Sequence, residues 1–274
     1  TKVTGSFDNV RAIGSQRMWK NEGKGKGVIV AVLDTGVKDH VELPKMEHIN
    51  LTSEIGVKED HGTHVSGIIH SVAPECSILD IKILTVQGGT IGTIIRGIDI
   101  AISKNARVIN MSLGTISISD REKIQLSASI KSAWNRGVIC VCASGNEGIR
   151  EGTKDPLSYP ASIPDAISVG SVTSQLKLSP FSNENDMVDI TAPGSNIYST
   201  IGTNGHAIYS GTSMATPHIS GALACMFSYS EVERSSRGSS YVISKLTAPQ
   251  NLIDCGVPGK DITYGVGFFC YNGV

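Results

Sequence analysis

The sequence predicts an α/β fold in three layers, a doubly wound and mostly parallel sheet with helices on both faces. Short apolar runs rich in β-branched residues alternate with segments of helical periodicity, as in proteins built from strand–helix–strand units. The runs are apolar throughout, which is typical of strands covered on both faces. The chain has 274 residues, of which 40% are hydrophobic, so it can form a sizeable core.

The individual elements follow in order along the chain. We expect strands at residues 28–33, 76–84, 108–113, 138–143 and 166–172, and helices at 93–105, 119–136 and about 212–227. Gly137 suits the left-handed position that ends the second helix. The polar segment 231–240 is interpreted as an exposed loop. No linker or internal repeat interrupts the pattern, so residues 1–274 are expected to form a single domain.

Composition excludes several classes of protein. The formal net charge is −1, which does not suit a nucleic-acid-binding protein, and no apolar run approaches the ~20 residues of a membrane span. The six cysteines lack the paired spacing of a structural zinc site. Cys140 and Cys142 are expected as buried thiols, and a disulfide between Cys255 and Cys270 near the C-terminus is left open as an alternative to free thiols. Mostly free thiols favour the cytoplasm, with secretion as a processed zymogen as the alternative.

Three short motifs carry chemistry-bearing side chains. They are Asp34-Thr35-Gly36 after a strand, His61-Gly62-Thr63-His64, and Gly211-Thr212-Ser213 at the start of a helix. Each has an ordinary structural interpretation: a turn, two metal-ligand histidines without an evident third ligand, and a helix cap. Taken together they supply a serine nucleophile, a histidine base and an orienting carboxylate.

These motifs, in the order Asp, His, Ser, resemble those of the subtilisin-like serine proteases (subtilases, peptidase family S8), and the resemblance extends from about residue 27 to 267. It implies a subtilisin-like fold and a serine endopeptidase that hydrolyses peptide bonds through an acyl-enzyme. It also implies that Asp34 orients His64, that His64 is the general base and acid, and that Ser213 is the nucleophile. Asn146, with the Ser213 backbone N–H, would stabilise the oxyanion.

The same resemblance implies how a protein or peptide substrate binds in an extended conformation. The segment Ser112, Leu113 and Gly114 would pair with the substrate backbone. The residue before the cleaved bond would enter a pocket with Ala143, Ser144 and Gly145 as its wall and Ser158 as its floor. None of these is charged, so a neutral residue is expected there. Ile91 and Ile94, with Leu113, would line an apolar pocket further upstream, unless the isoleucines simply pack in the core.

The sequence departs from the family in its calcium-binding region. Only residues 65–71 separate His64 from Val72-Ala73-Pro74, and this segment is expected to be helical, without a calcium loop. Glu42 retains an acid near the expected position, but its partner ligands are missing. We therefore expect no required cofactor and no tight calcium site; a weaker cation site near Ala161, Ile163 and Asp189 stays open. An inhibitory propeptide is a candidate partner, and a monomer is expected.

Two rival interpretations come from outside general proteolysis. One is a catalytically silent binding protein with the subtilase fold, and the other is a dedicated processing protease that matures one peptide. Labelling by a fluorophosphonate separates the first from an active enzyme. Cleavage of a broad peptide library separates the second from a general protease.

Overall fold

The computed structural model describes residues 8–148, 154–228 and 232–273. A nine-stranded sheet runs through it in the order β10-β11-β7-β6-β5-β4-β1-β3-β2, and all neighbours are parallel except β10 and β11. A separate antiparallel hairpin is formed by β8 and β9. The strands are β1 Ile29–Asp34, β2 Glu47–Asn50, β3 Ser77–Lys82, β4 Val108–Met111, β5 Ile139–Ala143, β6 Ala166–Val172, β7 Ile190–Pro193, β8 Ile197–Ile201, β9 Gly205–Tyr209, β10 Leu252–Ile253 and β11 Phe268–Phe269.

Helices cover both faces of this sheet. They are α1 Asn9–Ala12, α2 Ser15–Asn21, α3 His61–Val72, α4 Ile91–Ser103, α5 Asp120–Asn135, α6 Thr212–Phe227 and α7 Ser236–Leu246, with a 3-10 turn at Pro249–Asn251. The buried side chains of β1 alternate between two clusters: Val30 and Val32 pack with α3 and α6, whereas Ala31 and Leu33 pack with α4 and α5. The predicted three-layer α/β architecture is therefore confirmed.

Local sequence explains where the main helices begin. Thr90 and Thr93 form a reciprocal capping box at the start of α4, and Ser119 and Glu122 form another at the start of α5. The prediction of an exposed loop over residues 231–240 is wrong from Ser236 onward, where α7 begins with Ser235 as its N-cap. Residue 231 lies outside the described residues. The serine-rich start of α7 obscured the helix, although Val242 and Leu246 bury one face of it.

The parallel strands bring several loops to one edge of the sheet. β1 ends at Asp34, β4 ends just before Ser112, and β5 ends just before Ser144. Because the carboxyl ends of parallel strands lie at the same edge, this edge is where a site is expected. Among the described residues, no helix has the length and apolar character needed to cross a membrane. All six cysteines are free, so the alternative Cys255–Cys270 disulfide is absent.

Candidate active site

Asp34 ends β1 and is completely buried at the carboxyl edge of the sheet. Its Oδ1 accepts hydrogen bonds from the backbone N–H of Thr35 and from Nδ1 of His61, each 2.7 Å long. The N–H of Gly62 donates to the Thr35 hydroxyl at 3.1 Å. A Cβ at Gly62 would collide with the Gly36 carbonyl, so this glycine lets α3 begin directly against the turn after β1. The carboxylate thereby orients the imidazole of His61.

His61 is the first residue of α3 and keeps 29% of its side chain exposed. Burial disfavours the protonated imidazole, but the charge of Asp34, the hydrogen bond to it and the charge of Glu59 outweigh burial. Together they raise the pKa of His61 above its ordinary value of 6.5. Because Nδ1 donates to Asp34, the neutral ring carries its lone pair on Nε2. His61 is therefore an oriented base at the surface of the sheet edge.

His64 lies one helical turn further along α3, in different surroundings. Its ring is completely buried, stacks on Tyr209 with centroids 4.3 Å apart, and its Nε2 lies 3.1 Å from the carbonyl oxygen of Ala207. Burial is the main cause that lowers the pKa of His64 to about 4. The prediction that Asp34 orients His64 is wrong, because the carboxylate binds the first histidine of the motif. The alternative of two metal-ligand histidines finds no support in the described part of the chain, where no third His, Cys, Asp or Glu side chain joins them to form a metal-binding group.

Ser213 is the second residue of α6 and is half-buried. Its hydroxyl donates to the Ser112 carbonyl at 3.1 Å, and the Ser112 hydroxyl donates to the Ser213 carbonyl at 2.8 Å. No hydrogen bond joins Ser213 to His61 within the described parts of the chain. Ser112, to which Ser213 is hydrogen-bonded, nevertheless lines the same groove as His61. Ser213 therefore lies at the border of that groove. A first-turn backbone N–H such as that of Ser213 has no acceptor within its own helix.

Asn146 follows β5 and is held by the start of α6. Its Oδ1 accepts from the backbone N–H of Thr212 at 2.9 Å and from the Thr212 hydroxyl at 3.0 Å. A backbone N–H can only donate, so the oxygen of the amide must face Thr212. The NH₂ group is then left as an exposed donor beside the N-terminus of α6. This orientation suits the stabilisation of a negatively charged oxygen.

A groove of about 690 Å³ extends from His61 across the ends of β3 and β4. Five of the predicted substrate-binding residues line it, namely Ile91, Ile94, Ser112, Leu113 and Gly114. The structure therefore brings the upstream apolar residues and the backbone-pairing segment to one surface. Ile91 and Ile94 are also 8% and 5% exposed, so each packs in the core while presenting an edge to the groove.

The remaining predicted pocket residues lie behind this groove. Ala143, Ser144 and Ser158 are buried, and the backbone N–H of Asn183 donates to the carbonyl of Gly145. Ser158 lies against Gly114, where any Cβ would collide with the serine hydroxyl. Two backbone hydrogen bonds between Thr115 and Tyr159, of 3.0 and 2.9 Å, join these two segments. The floor is thus adjacent to the backbone-pairing segment, and the wall follows β5, whose Cys142 pairs with Met111 directly before that segment. Neither the wall nor the floor carries a charge.

The two candidate metal carboxylates are already paired with protein cations or donors. Oε2 of Glu42 lies 3.0 Å from Nε2 of His206. Asp189 binds the Lys260 ammonium at 3.0 Å and accepts the Ser168 N–H at 3.0 Å. Over the described ranges, no group of three or more His, Cys, Asp or Glu side chains is arranged to hold a metal. Calcium needs six to eight oxygen ligands, and these residues do not fit one.

Sequence reasoning missed a buried lysine that supports the site. The ammonium of Lys82 donates to the carbonyl of Thr35 at 2.7 Å, to that of Leu84 at 2.8 Å, and to Glu54 at 2.8 Å. It thereby joins the turn after Asp34 to the groove wall that starts at Leu84. The available signal was a charged residue at the end of an apolar strand, because lysine is almost never buried without a partner.

Comparison with known proteins gives a consistent family. The model described as the subtilase family matches residues 25–236. The major intracellular serine protease of Bacillus subtilis is 41% identical over 246 residues, covering 82% of this chain and 76% of that protein. The minor extracellular protease Epr of Bacillus subtilis is 33% identical over 287 residues, covering 99% of this chain. The match spans only 42% of Epr's own length.

A solved structure agrees with the fold. The crystal structure of a lanthipeptide protease superposes with a TM-score of 0.83 over 95% of this chain and 90% of that one, at 24% sequence identity. At this identity the likeness concerns architecture alone. The names of the sequence relatives place such proteases both inside and outside the cell.

Proposed function

We propose that this chain, which belongs to the subtilase family of serine proteases, hydrolyses peptide bonds in proteins through an acyl-enzyme formed on Ser213. The observation that carries the proposal is the 2.7 Å hydrogen bond between buried Asp34 and His61. It fixes the tautomer of the imidazole and stabilises the imidazolium that forms during the reaction. The general base is accordingly His61, in place of His64.

In the first half of the reaction, the Ser213 hydroxyl turns from the Ser112 carbonyl towards His61. Its oxygen attacks the substrate carbonyl carbon while its proton passes to Nε2 of His61. The tetrahedral intermediate then collapses: the C–N bond breaks and His61 gives the proton to the leaving amine. Water attacks the acyl-enzyme in the second half, with His61 again taking and returning one proton.

The negative oxygen of the tetrahedral intermediate is stabilised by two donors. One is the NH₂ group of Asn146, which is oriented by the Thr212 donors on its Oδ1. The other is the backbone N–H of Ser213, at the positive end of α6. Donors that are already in place when charge develops cost little reorganisation.

The substrate binds as an added strand along residues 112–114. Backbone hydrogen bonds of this kind are made whatever the side chains of the peptide are. The residue before the cleaved bond enters the uncharged region around Ala143, Gly145 and Ser158, so a neutral residue is expected there.

A fluorophosphonate probe tests this function. The wild-type chain should be labelled on Ser213, and Ser213→Ala should abolish labelling and hydrolysis of a casein substrate. Ser66→Ala is a matched serine variant away from the groove and should still label. A folded wild-type chain that resists the probe and cleaves no peptide in a broad library would support the silent binding protein instead.

We also propose that the enzyme works without bound calcium in a reducing compartment. The carboxylates of Glu42 and Asp189 are engaged, and the six cysteines are free. Addition of excess EGTA should change the melting temperature by no more than about 2 °C, because a protein without bound calcium loses no binding energy when calcium is chelated. A drop of about 10 °C or more would contradict the proposal.

A further inference from the structure

The carboxylates that line the proposed substrate groove give it negative charge. Two carboxylates, Glu59 and Glu122, contribute to its lining, and no lysine or arginine does so among the described residues. The rest of the lining is neutral or apolar apart from His61. A cleft lined by one sign of charge favours ligands of the opposite sign.

Glu59 lies at the His61 end of this groove. It is exposed, it precedes His61 by two residues, and its charge acts on the imidazole. Two nearby cations are held by other carboxylates: Lys38 binds Asp60 at 2.9 Å, and Lys82 binds Glu54 at 2.8 Å. The adjacent Lys58 is exposed, and its charge acts on Glu54. Glu59 has no ion-pair partner in the described ranges. Its carboxylate is therefore free to receive a cation from a substrate.

The geometry of an extended peptide decides which substrate residue meets Glu59. Successive side chains of a strand point to opposite sides, about 3.3 Å apart along the chain. When a peptide binds along residues 112–114 as proposed above, the residue before the cleaved bond points towards the uncharged region around Ser158. The next residue upstream points the other way, towards the side of the groove with His61 and Glu59.

We propose that Glu59 selects lysine or arginine as the second residue before the cleaved bond. This inference rests on the proposed function, because it assumes that peptides bind along residues 112–114. The selected cation keeps its aliphatic stem over the groove and places its charge beside the carboxylate. The substrates are therefore proteins with a basic residue followed by a neutral one at the cleavage site.

Glu122 provides an internal comparison. It lies at the other end of the lining with Thr115 and Ser117, and its carboxylate is held by the backbone N–H and hydroxyl of Ser119. It would act on a residue further upstream. Replacement of Glu122 removes the same charge from the same groove, but from a different position.

The experiment uses two peptides that differ only in lysine or norleucine at the second residue before the cut. We expect the wild-type enzyme to prefer lysine roughly three- to tenfold in kcat/KM at low salt, as for a partly exposed ion pair. Glu59→Gln should bring this ratio to about one, whereas Glu122→Gln should keep it. Glu75→Gln, at the amino end of β3 on the opposite edge, is the remote control. The preference should also fall in 1 M salt, where the Debye length is about 3 Å.

Three results would overturn the inference. They are equal cleavage of both peptides by the wild-type enzyme, a preference that persists in Glu59→Gln, and an equal reduction of the preference by Glu59→Gln and Glu122→Gln. In the last case the general potential of the groove, and not Glu59, would select the cation. Absence of cleavage of every peptide, together with absence of labelling on Ser213, would instead contradict the proposed function.

Discussion

The two histidines at the start of α3 show how one helical turn changes the chemistry of a side chain. His61 lies at the sheet edge with a carboxylate on Nδ1 and an exposed face, and its pKa is raised. His64 is covered by the β8–β9 hairpin, and burial lowers its pKa to about 4. The first ring favours its protonated form more than a free histidine does, whereas the second stays neutral at neutral pH and packs against the hairpin. The same residue type is therefore partly exposed and oriented by a carboxylate at one position, and packed in the interior three residues later.

The largest expected effect comes from removing the first histidine. His61→Ala should lower kcat by about 10⁶, a size taken from subtilisin, where removal of the triad histidine has this effect. Steady-state hydrolysis of a chromogenic peptide measures it. A residual activity within tenfold of wild type would mean that His61 is not the base.

The second histidine provides the matched control. His64→Gln keeps an N–H donor for the Ala207 carbonyl and should keep kcat/KM within about threefold, while lowering the free energy of unfolding by about 1–3 kcal/mol. Urea unfolding in a Ser213→Ala background avoids self-digestion. Loss of catalysis as large as that of His61→Ala, in a folded protein, would restore His64 as the base.

A smaller catalytic effect is expected at Asn146. Asn146→Ala should lower kcat by about 10²–10³ with little change in KM, again a size known from subtilisin itself. The amide acts only when the negative oxygen forms, so substrate binding should be spared. A raised KM with unchanged kcat would indicate that Asn146 only shapes the groove.

Much of this architecture follows from the sequence, but the contacts at the site do not. Continuous apolar runs predicted β1, β4, β5 and β6 because strands covered on both faces need no polar side. The motif His61-Gly62-Thr63-His64 contains two histidines, and the one that meets Asp34 depends on how the start of α3 packs against the turn after β1, where Gly62 approaches the Gly36 carbonyl. Burial of the other ring depends on a hairpin from residues 197–209, far away in sequence.

Other features were missed for comparable reasons. Lys82 is buried because three acceptors from separate segments converge on its ammonium, and periodicity does not encode such convergence. The start of α7 is rich in serine, a residue that is also common in loops. The calcium question depended on partners as well: the sequence identified Glu42 and Asp189 but not the His206 and Lys260 that bind them.

Acid unfolding sharpens the comparison between the two rings. In the unfolded chain His64 has a pKa near 6.5, so between pH 6.5 and about 4 the unfolded state binds the extra proton. Stability should therefore fall as the pH drops through this window, by up to about 3 kcal/mol from His64. His61 acts in the opposite direction, because its raised pKa favours the folded state below that pKa. We expect urea unfolding to show a smaller loss of stability between pH 7 and pH 4.5 when His64→Gln is added to the Ser213→Ala background than in Ser213→Ala alone.

The pH dependence of kcat/KM tests most directly which histidine takes the serine proton. The base must be neutral, and the pKa of His61 is raised, so activity should rise with pH through a midpoint above 6.5. Below that midpoint His61 is protonated and the rate should fall tenfold per pH unit. An acid limb with its midpoint near pH 4 would match the lowered pKa of His64 and contradict the assignment of His61.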